Sequence, residues 1–152
     1  MKKISYYIES LRPHQWLKNF LIFIPLLAAH QIFNEEKIII AGLMFVSFSL
    51  VASSVYIFND LVDLGADRAH PRKRFRPLAS KKIEISHGKL LALFFLIFGI
   101  ILAFLISKTF LNILLIYFLI STAYSLLLKQ KIIIDICVLA ILYTIRIIAG
   151  GI

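Results

Sequence analysis

The sequence predicts an all-α polytopic membrane protein, a bundle of about five transmembrane helices forming one domain over residues 1–152. Three observations carry this. The chain is 61% hydrophobic with a mean hydropathy of +0.91. A soluble domain is only about half apolar, and one of this composition would expose large apolar patches. The apolar residues also fall in runs long enough to cross a bilayer, which takes about 20 residues (roughly 17–25) in a helix. Finally, the net charge of +9 is concentrated in the breaks between those runs. Basic residues there read as topology signals and phosphate ligands rather than as a nucleic-acid footprint, so no nucleic-acid partner is expected.

The elements follow in order. Residues 1–16 form an amphipathic lead: Tyr6, Tyr7, Ile8 and Leu11 are apolar, whereas Lys2, Lys3, Glu9 and Arg12 are not. It is expected along the interface, with Trp16 at headgroup level. Leu11 to Asn19, L-R-P-H-Q-W-L-K-N, reads as a positive, aromatic anchor. The lead shows no small-residue cleavage site, so no signal peptide is expected. The first span covers 17–33, with a kink expected at Pro25, and Asn34-Glu35-Glu36-Lys37 ends it. The second covers 38–58 and carries Ser47, Ser49, Ser53 and Ser54, small residues that permit close helix packing. Residues 60–89 are the long polar segment. The third span, 90–106, stops at Ser107-Lys108. The fourth covers 110–128, Lys129-Gln130-Lys131 forms a turn, and the fifth covers 132–152. The single cysteine, Cys137, excludes an intramolecular disulfide and a thiolate metal site; in its apolar run it is expected to pack inertly. No soluble domain or internal repeat is evident.

The chemistry gathers where the second span meets the polar segment, from Asn59 to Pro77: N-D-L-V-D-L-G-A-D-R-A-H-P-R-K-R-F-R-P. On a helix turning about 100° per residue, Asn59, Asp63, Asp67 and Asp60 fall near 0, 40, 80 and 100°. Four oxygen donors then share one face. Such donors repel one another unless a cation joins them, and an all-oxygen set suits Mg²⁺. The basic residues that follow suit a diphosphate, since Arg and Lys neutralise phosphate charge, Arg with a bidentate fork. Lys73, Arg74 and Arg76 are the first choices in that loop, and Lys18 and Tyr56 approach from the same ends of their spans. Asp135 and Arg146 lie within or near the fifth span, where an ionisable residue marks a functional site by default. They are about 16 Å apart along the helix, so each pairs with another span or serves a cavity. Tyr124 and Ser125 either line a cavity or pack. His14, His30, His70 and His87 show no metal-ligand spacing and are expected at the surface.

Placing the N-terminus, the 60–89 loop and the 129–131 turn on one side leaves only Lys37, Lys108 and Arg146, of the 17 Lys and Arg residues, elsewhere. The positive-inside rule makes that side cytoplasmic, in a bacterial-type inner membrane. The chain stops at Gly150-Gly151-Ile152 without a polar tail, which raises the expectation of a truncated or split product.

Asn59 to Asp67 fits N-D-x-x-D-x-x-x-D and resembles the first aspartate-rich motif of the UbiA-type membrane prenyltransferase superfamily. R-P-H-Q-W-L-K-N at 12–19, D-R-A-H-P-R-K-R-F-R-P at 67–77 and I-R-I-I-A-G-G at 145–151 are similar to its decaprenyl-phosphate phosphoribosyltransferase branch. The resemblance covers essentially the whole chain but only the N-terminal half of a typical member. It implies a UbiA-like helical fold and a role in cell-envelope biosynthesis. Mg²⁺ would be held by Asn59 and Asp63, assisted by Asp60 and Asp67, with the three aspartates as the catalytic set. The metal would bind the diphosphate of 5-phosphoribosyl 1-diphosphate. Lys18, Tyr56 and Lys73 would contact the donor, and Arg74, Arg76, Tyr124 and Arg146 complete the candidate substrate contacts. A polyprenyl phosphate oxygen would attack the ribose C1 as diphosphate departs. Two alternatives stand beside this: prenyl transfer from a prenyl diphosphate to an aromatic or other acceptor, and an inactive fragment or non-enzymatic membrane subunit. Because superfamily members carry a second acidic or polar motif after a later span, the resemblance also implies a portion that is inactive alone or needs a second polypeptide; a separate C-terminal half or a homo-oligomer is the expected protein partner.

Overall fold

The computed structural model describes residues 2–128 and 132–152, and the basic turn expected at 129–131 lies outside them. Among the described residues every regular element is helical. The order is α1 (Lys2–Leu11), a 3₁₀ segment (Pro13–Phe23), α2 (Ile24–Ala28), α3 (Glu35–Val62), α4 (Leu64–Ala69), a 3₁₀ turn (Lys73–Phe75), α5 (Ile85–Ile106), α6 (Lys108–Ala123), a π-helical turn (Tyr124–Leu128) and α7 (Ile132–Gly150). Among the described residues, three stretches are long and apolar enough to cross a membrane: Glu35–Val62, Ile85–Ile106 and Lys108–Leu126, with mean hydropathies of 2.3, 2.8 and 1.7.

The first apolar run departs from a continuous α-helix over 17–33. It coils from Pro13 as a 3₁₀ segment, passes into α2 at Pro25, and ends in a turn with His30 at φ 54°. Proline supplies no N–H and favours the first turn of a helix, so the 3₁₀ segment starts at Pro13, before the run, and the run itself is divided at Pro25. The tetrad 34–37 starts a helix rather than only closing one. Asn34 Oδ1 accepts from the Lys37 N–H at 3.1 Å, and Glu35 and Glu36 suit the positive end of the α3 dipole.

Helix α3 is the axis of the molecule, and its four serines are hydrogen-bonding studs as well as small residues. Ser47 donates to the Gly99 carbonyl and Ser54 to the Ala92 carbonyl, both at 2.8 Å, which locks α3 onto α5. Ser49 accepts from Asn19 Nδ2 at 2.9 Å. Ser53 donates to the Leu11 carbonyl and accepts from Trp16 Nε1. Trp16 is therefore tied to α3. Hydrogen bonds of this kind satisfy polar atoms where no water competes.

Phe48, Val51, Phe110, Leu114, Leu142 and Ile145 belong to the main core, between α3, α6 and α7. A second cluster of Ile57, Leu78, Ile83 and Ala92 pins the 70–84 loop beneath the ends of α3 and α5, and Tyr6 and Tyr7 of α1 pack against it. On α5, Leu90, Leu93, Phe94, Ile97, Phe98, Ile101, Phe104 and Leu105 are exposed. Their three-and-four spacing makes one outward apolar stripe. Cys137 is likewise exposed, on α7, rather than packed.

Candidate active site

The aspartate-rich stretch crosses a helix break. Helix α3 ends at Val62, Asp63 adopts φ −86° and ψ 8°, and α4 begins at Leu64. The Asp63 N–H still donates to the Asn59 carbonyl at 2.9 Å, and the Asp67 N–H to the Asp63 carbonyl at 2.8 Å. The i to i+4 register survives the break, so Asn59, Asp63 and Asp67 line one cavity of about 400 Å³. His70, Lys73 and Arg76 line it as well, so acidic oxygens and cations share one hollow. His70 shapes the basic loop: its Nδ1 accepts from the backbone N–H of Arg72 at 3.1 Å and of Lys73 at 3.3 Å.

Asp60 departs from the expected set. At the far edge of the face, it is captured by Arg12 Nη2 at 2.5 Å and Arg76 Nη1 at 3.2 Å, and its side chain is 4% exposed. Arg76 also binds Asp67 Oδ2 at 2.6 Å. The result is an alternating chain, Arg12–Asp60–Arg76–Asp67, that neutralises two buried carboxylates. Asp60 thus holds two arginines in place and does not line the hollow that Asn59, Asp63 and Asp67 share. Among the described residues, no three acidic, His or Cys side chains converge as a metal-binding group. The remaining oxygens do fit a cation that keeps most of its ligands as water and phosphate. Asn59 Oδ1 is buried without a hydrogen-bond partner among the described residues, and Asn59 lines this cavity with Asp63 and Asp67.

A second cavity of about 240 Å³ shares Asn59, Tyr124 and Ser125 with the first and is also lined by Tyr56, Lys18 and Arg146. Arg146 is 4% exposed. Its Nε donates to Asn19 Oδ1 at 2.8 Å, its Nη2 to the Tyr117 hydroxyl at 3.1 Å and its Nη1 to the Leu142 carbonyl. Arg146 therefore both pairs with other elements and serves a cavity, where the sequence left those two roles as alternatives. Tyr124, at the start of the π-helical turn, donates its hydroxyl to the Asp135 carboxylate. A π turn often marks a functional position in a helix, and this one stands where the two cavities meet.

Lys18, Tyr56, Asn59, Asp63, Asp67, Lys73, Arg76, Tyr124 and Arg146 are thus brought to two adjoining hollows. Arg74 is not: it is exposed and lies over the Phe75 ring at 4.9 Å. Sequence reasoning missed Arg12, His70, Tyr117 and Ser121. Arg12 was legible as part of R-P-H-Q-W-L-K-N yet was read as an anchor. Its φ of 52° and ψ of 59° put a non-glycine residue in the left-handed region, a conformation that costs on the order of 1–3 kcal/mol and clusters at functional sites. The Asp60 ion pair and the Tyr56 ring, 5.4 Å from its guanidinium carbon, hold it there. Tyr117 and Ser121 lie one turn apart in an apolar run, and nothing local distinguishes them.

Comparison with known proteins converges on one family. Residues 20–152 match the model of the UbiA prenyltransferase family. The chain is 38% identical over 147 residues to nodulation protein NoeC of Azorhizobium caulinodans, covering 95% of this chain and 47% of that one. It is 34% identical over 153 residues to decaprenyl-phosphate phosphoribosyltransferase of Mycolicibacterium smegmatis, covering 98% of this chain and 48% of that one. It also superimposes with a TM-score of 0.84 and 25% identity on a solved structure described as digeranylgeranylglyceryl phosphate synthase in membranes, covering 99% of this chain and 53% of that one. The chain spans about half the length of these relatives. With a helical membrane-type fold, an aspartate-rich helix end over a polar cavity and a family match over most of its length, this chain belongs to the UbiA prenyltransferase family.

Proposed function

We propose that the chain contributes the donor-binding half of a Mg²⁺-dependent membrane transferase. It would move 5-phosphoribose from phosphoribosyl diphosphate to a polyprenyl phosphate such as decaprenyl phosphate. The observation that carries the reading is the hollow where Asn59, Asp63 and Asp67 meet His70, Lys73 and Arg76. One highly charged anion, approached by a hard cation on one side and by Lys and Arg on the other, suits that lining. The similarity to an enzyme named for phosphoribosyl transfer to decaprenyl phosphate supports the choice of substrates.

In this reading Asn59 and Asp63, with Asp67, hold Mg²⁺. Bound Mg²⁺ supplies neutralisation of the charge on the departing diphosphate. Lys73 and Arg76 bind the same phosphates, and Asp60 keeps Arg76 and Arg12 aimed. The bond from ribose C1 to the diphosphate oxygen breaks with its electron pair, and a lipid phosphate oxygen bonds to C1. Lys18 and Tyr56 orient the sugar so that the nucleophile stands opposite the leaving group. The site faces the cytosol, since the basic residues crowd its side of the membrane.

A second reading, prenyl transfer from a prenyl diphosphate, is favoured by the likeness to the lipid-phosphate synthase structure. One experiment separates them. Membranes carrying the chain are given polyprenyl phosphate and labelled phosphoribosyl diphosphate, or labelled prenyl diphosphate with an aromatic acceptor. Label is expected in lipid from the first donor only, is lost with EDTA, and falls roughly 100-fold in Asp63→Asn. Label from the prenyl donor alone selects the second reading, and no label from either identifies the chain as inactive alone.

A further inference from the structure

Arg146 is a buried cation whose hydrogen bonds among the described residues go to neutral groups: an amide oxygen, a phenol and a backbone carbonyl. Its guanidinium lies near three aromatic rings, with Cζ 4.9 Å from the Tyr117 centroid, 5.7 Å from Tyr143 and 5.8 Å from Phe48. Guanidinium has five N–H donors and no acceptor, so donors remain beyond these three bonds. Among the described residues, no ion pair joins Arg146 or Lys18 to a carboxylate, and no Asp or Glu lines the cavity they share. An uncompensated cation in a low-dielectric site is costly and calls for an anion. A second, independent observation points the same way. Ser121 lines this cavity, is 4% exposed, and its hydroxyl has no hydrogen-bond partner among the described residues. It stands one turn from Tyr117 on α6, on the same helix face.

We propose that the second cavity is an anion subsite that takes a phosphomonoester, bound by Arg146, Lys18 and the Ser121 hydroxyl, adjoining the diphosphate hollow. The inference rests on the proposed transferase reading and deepens it: the reacting pair must carry a monophosphate besides the diphosphate. A neutral aromatic acceptor would leave these cations unmatched. The monophosphate is either that of the sugar donor or that of the lipid acceptor, because both offer the same dianion.

Direct binding to the detergent-solubilised chain tests it, with three probes: inorganic diphosphate with Mg²⁺, ribose 5-phosphate and farnesyl phosphate. Arg146→Gln and Ser121→Ala are expected to weaken one monophosphate probe about tenfold or more, the size expected for losing a hydrogen bond to a charged group, while diphosphate binding holds. Loss confined to ribose 5-phosphate assigns the subsite to the donor, and loss confined to farnesyl phosphate assigns it to the acceptor. Asp63→Asn should give the opposite pattern. Ser121→Ala removes only an unpartnered oxygen, so it reports even where Arg146→Gln fails to fold. Wild-type chain that binds neither monophosphate, or a Ser121→Ala chain that binds both unchanged, overturns the subsite. Diphosphate binding that ignores Asp63→Asn, with monophosphate binding still dependent on Ser121, instead overturns the transferase reading.

Discussion

At the scale of single residues, the directions of the side chains were legible and their partners were not. A turn of about 100° per residue puts Asn59, Asp63 and Asp67 together, and they do share one cavity. The same arithmetic counted Asp60 with them, because it fixes an angle and says nothing of Arg12, 48 positions away, which claims that carboxylate. The arginine chain has a measurable consequence. Arg76 Nη1 lies between Asp60 and Asp67, two side chains only 4% and 3% exposed. Replacing Arg76 by Gln leaves Asp67 without its ion pair and Asp60 with Arg12 alone. The expected cost is about 1–3 kcal/mol of stability, read as a lower midpoint of thermal unfolding in detergent. Adding Asp67→Asn should recover part of that loss, since the second change removes the charge the first exposed. Strictly additive losses in the double variant would mean that the two side chains do not act as a pair.

At the scale of elements, the apolar runs announced helices but not how closely they approach. The serines of α3 read as small residues; that each would bond a particular neighbour depends on the register between helices, which no local pattern encodes. The glycines make that register testable. A Cβ on Gly150 would stand 1.8 Å from the Ile22 carbonyl oxygen, so α7 and the 3₁₀ segment touch backbone to backbone. A Cβ on Gly99 would meet Val51 Cγ2 at 2.7 Å and the Ser47 carbonyl at 3.1 Å. At Gly42, on the same α3 helix, nothing lies within 4 Å. Alanine at Gly150 must push α7 away and should cost about 1–3 kcal/mol, as overpacking does. Alanine at Gly99 should cost less, because a valine methyl can move. Alanine at Gly42 should be neutral or stabilising by up to about 1 kcal/mol, because it meets no clash and improves helix propensity. Thermal unfolding of the three variants checks that ranking. Equal behaviour at Gly42 and Gly150 would contradict the close crossing of α7 on the 3₁₀ segment.

At the scale of the whole molecule, composition and the placement of charge suffice for a helical membrane bundle, since no water-soluble packing hides this much apolar surface. The outward stripe of α5 is its direct counterpart. The division of the first run into 3₁₀ and α segments was less legible: proline marks a place where the helix must adjust without saying how. Orientation is the remaining whole-molecule inference, and it is separately testable. The two ends of α3 carry different chemistry, Asn34 and Glu35 at one and the aspartates with the arginine loop at the other. If the arginine-rich end faces the cytosol, Phe33, which is 94% exposed beside the other end, faces outward. Cys137 is the only cysteine, so Cys137→Ser gives a background free of thiols. On it, Phe33→Cys should react with a membrane-impermeant maleimide in intact cells, whereas Arg74→Cys should react only after the membrane is opened. The reverse pattern would turn the proposed donor site away from the cytosol and so from the supply of phosphorylated sugars. In that case the clustering of Lys and Arg on the site's side would have to be explained by phosphate binding alone, without any part in setting topology.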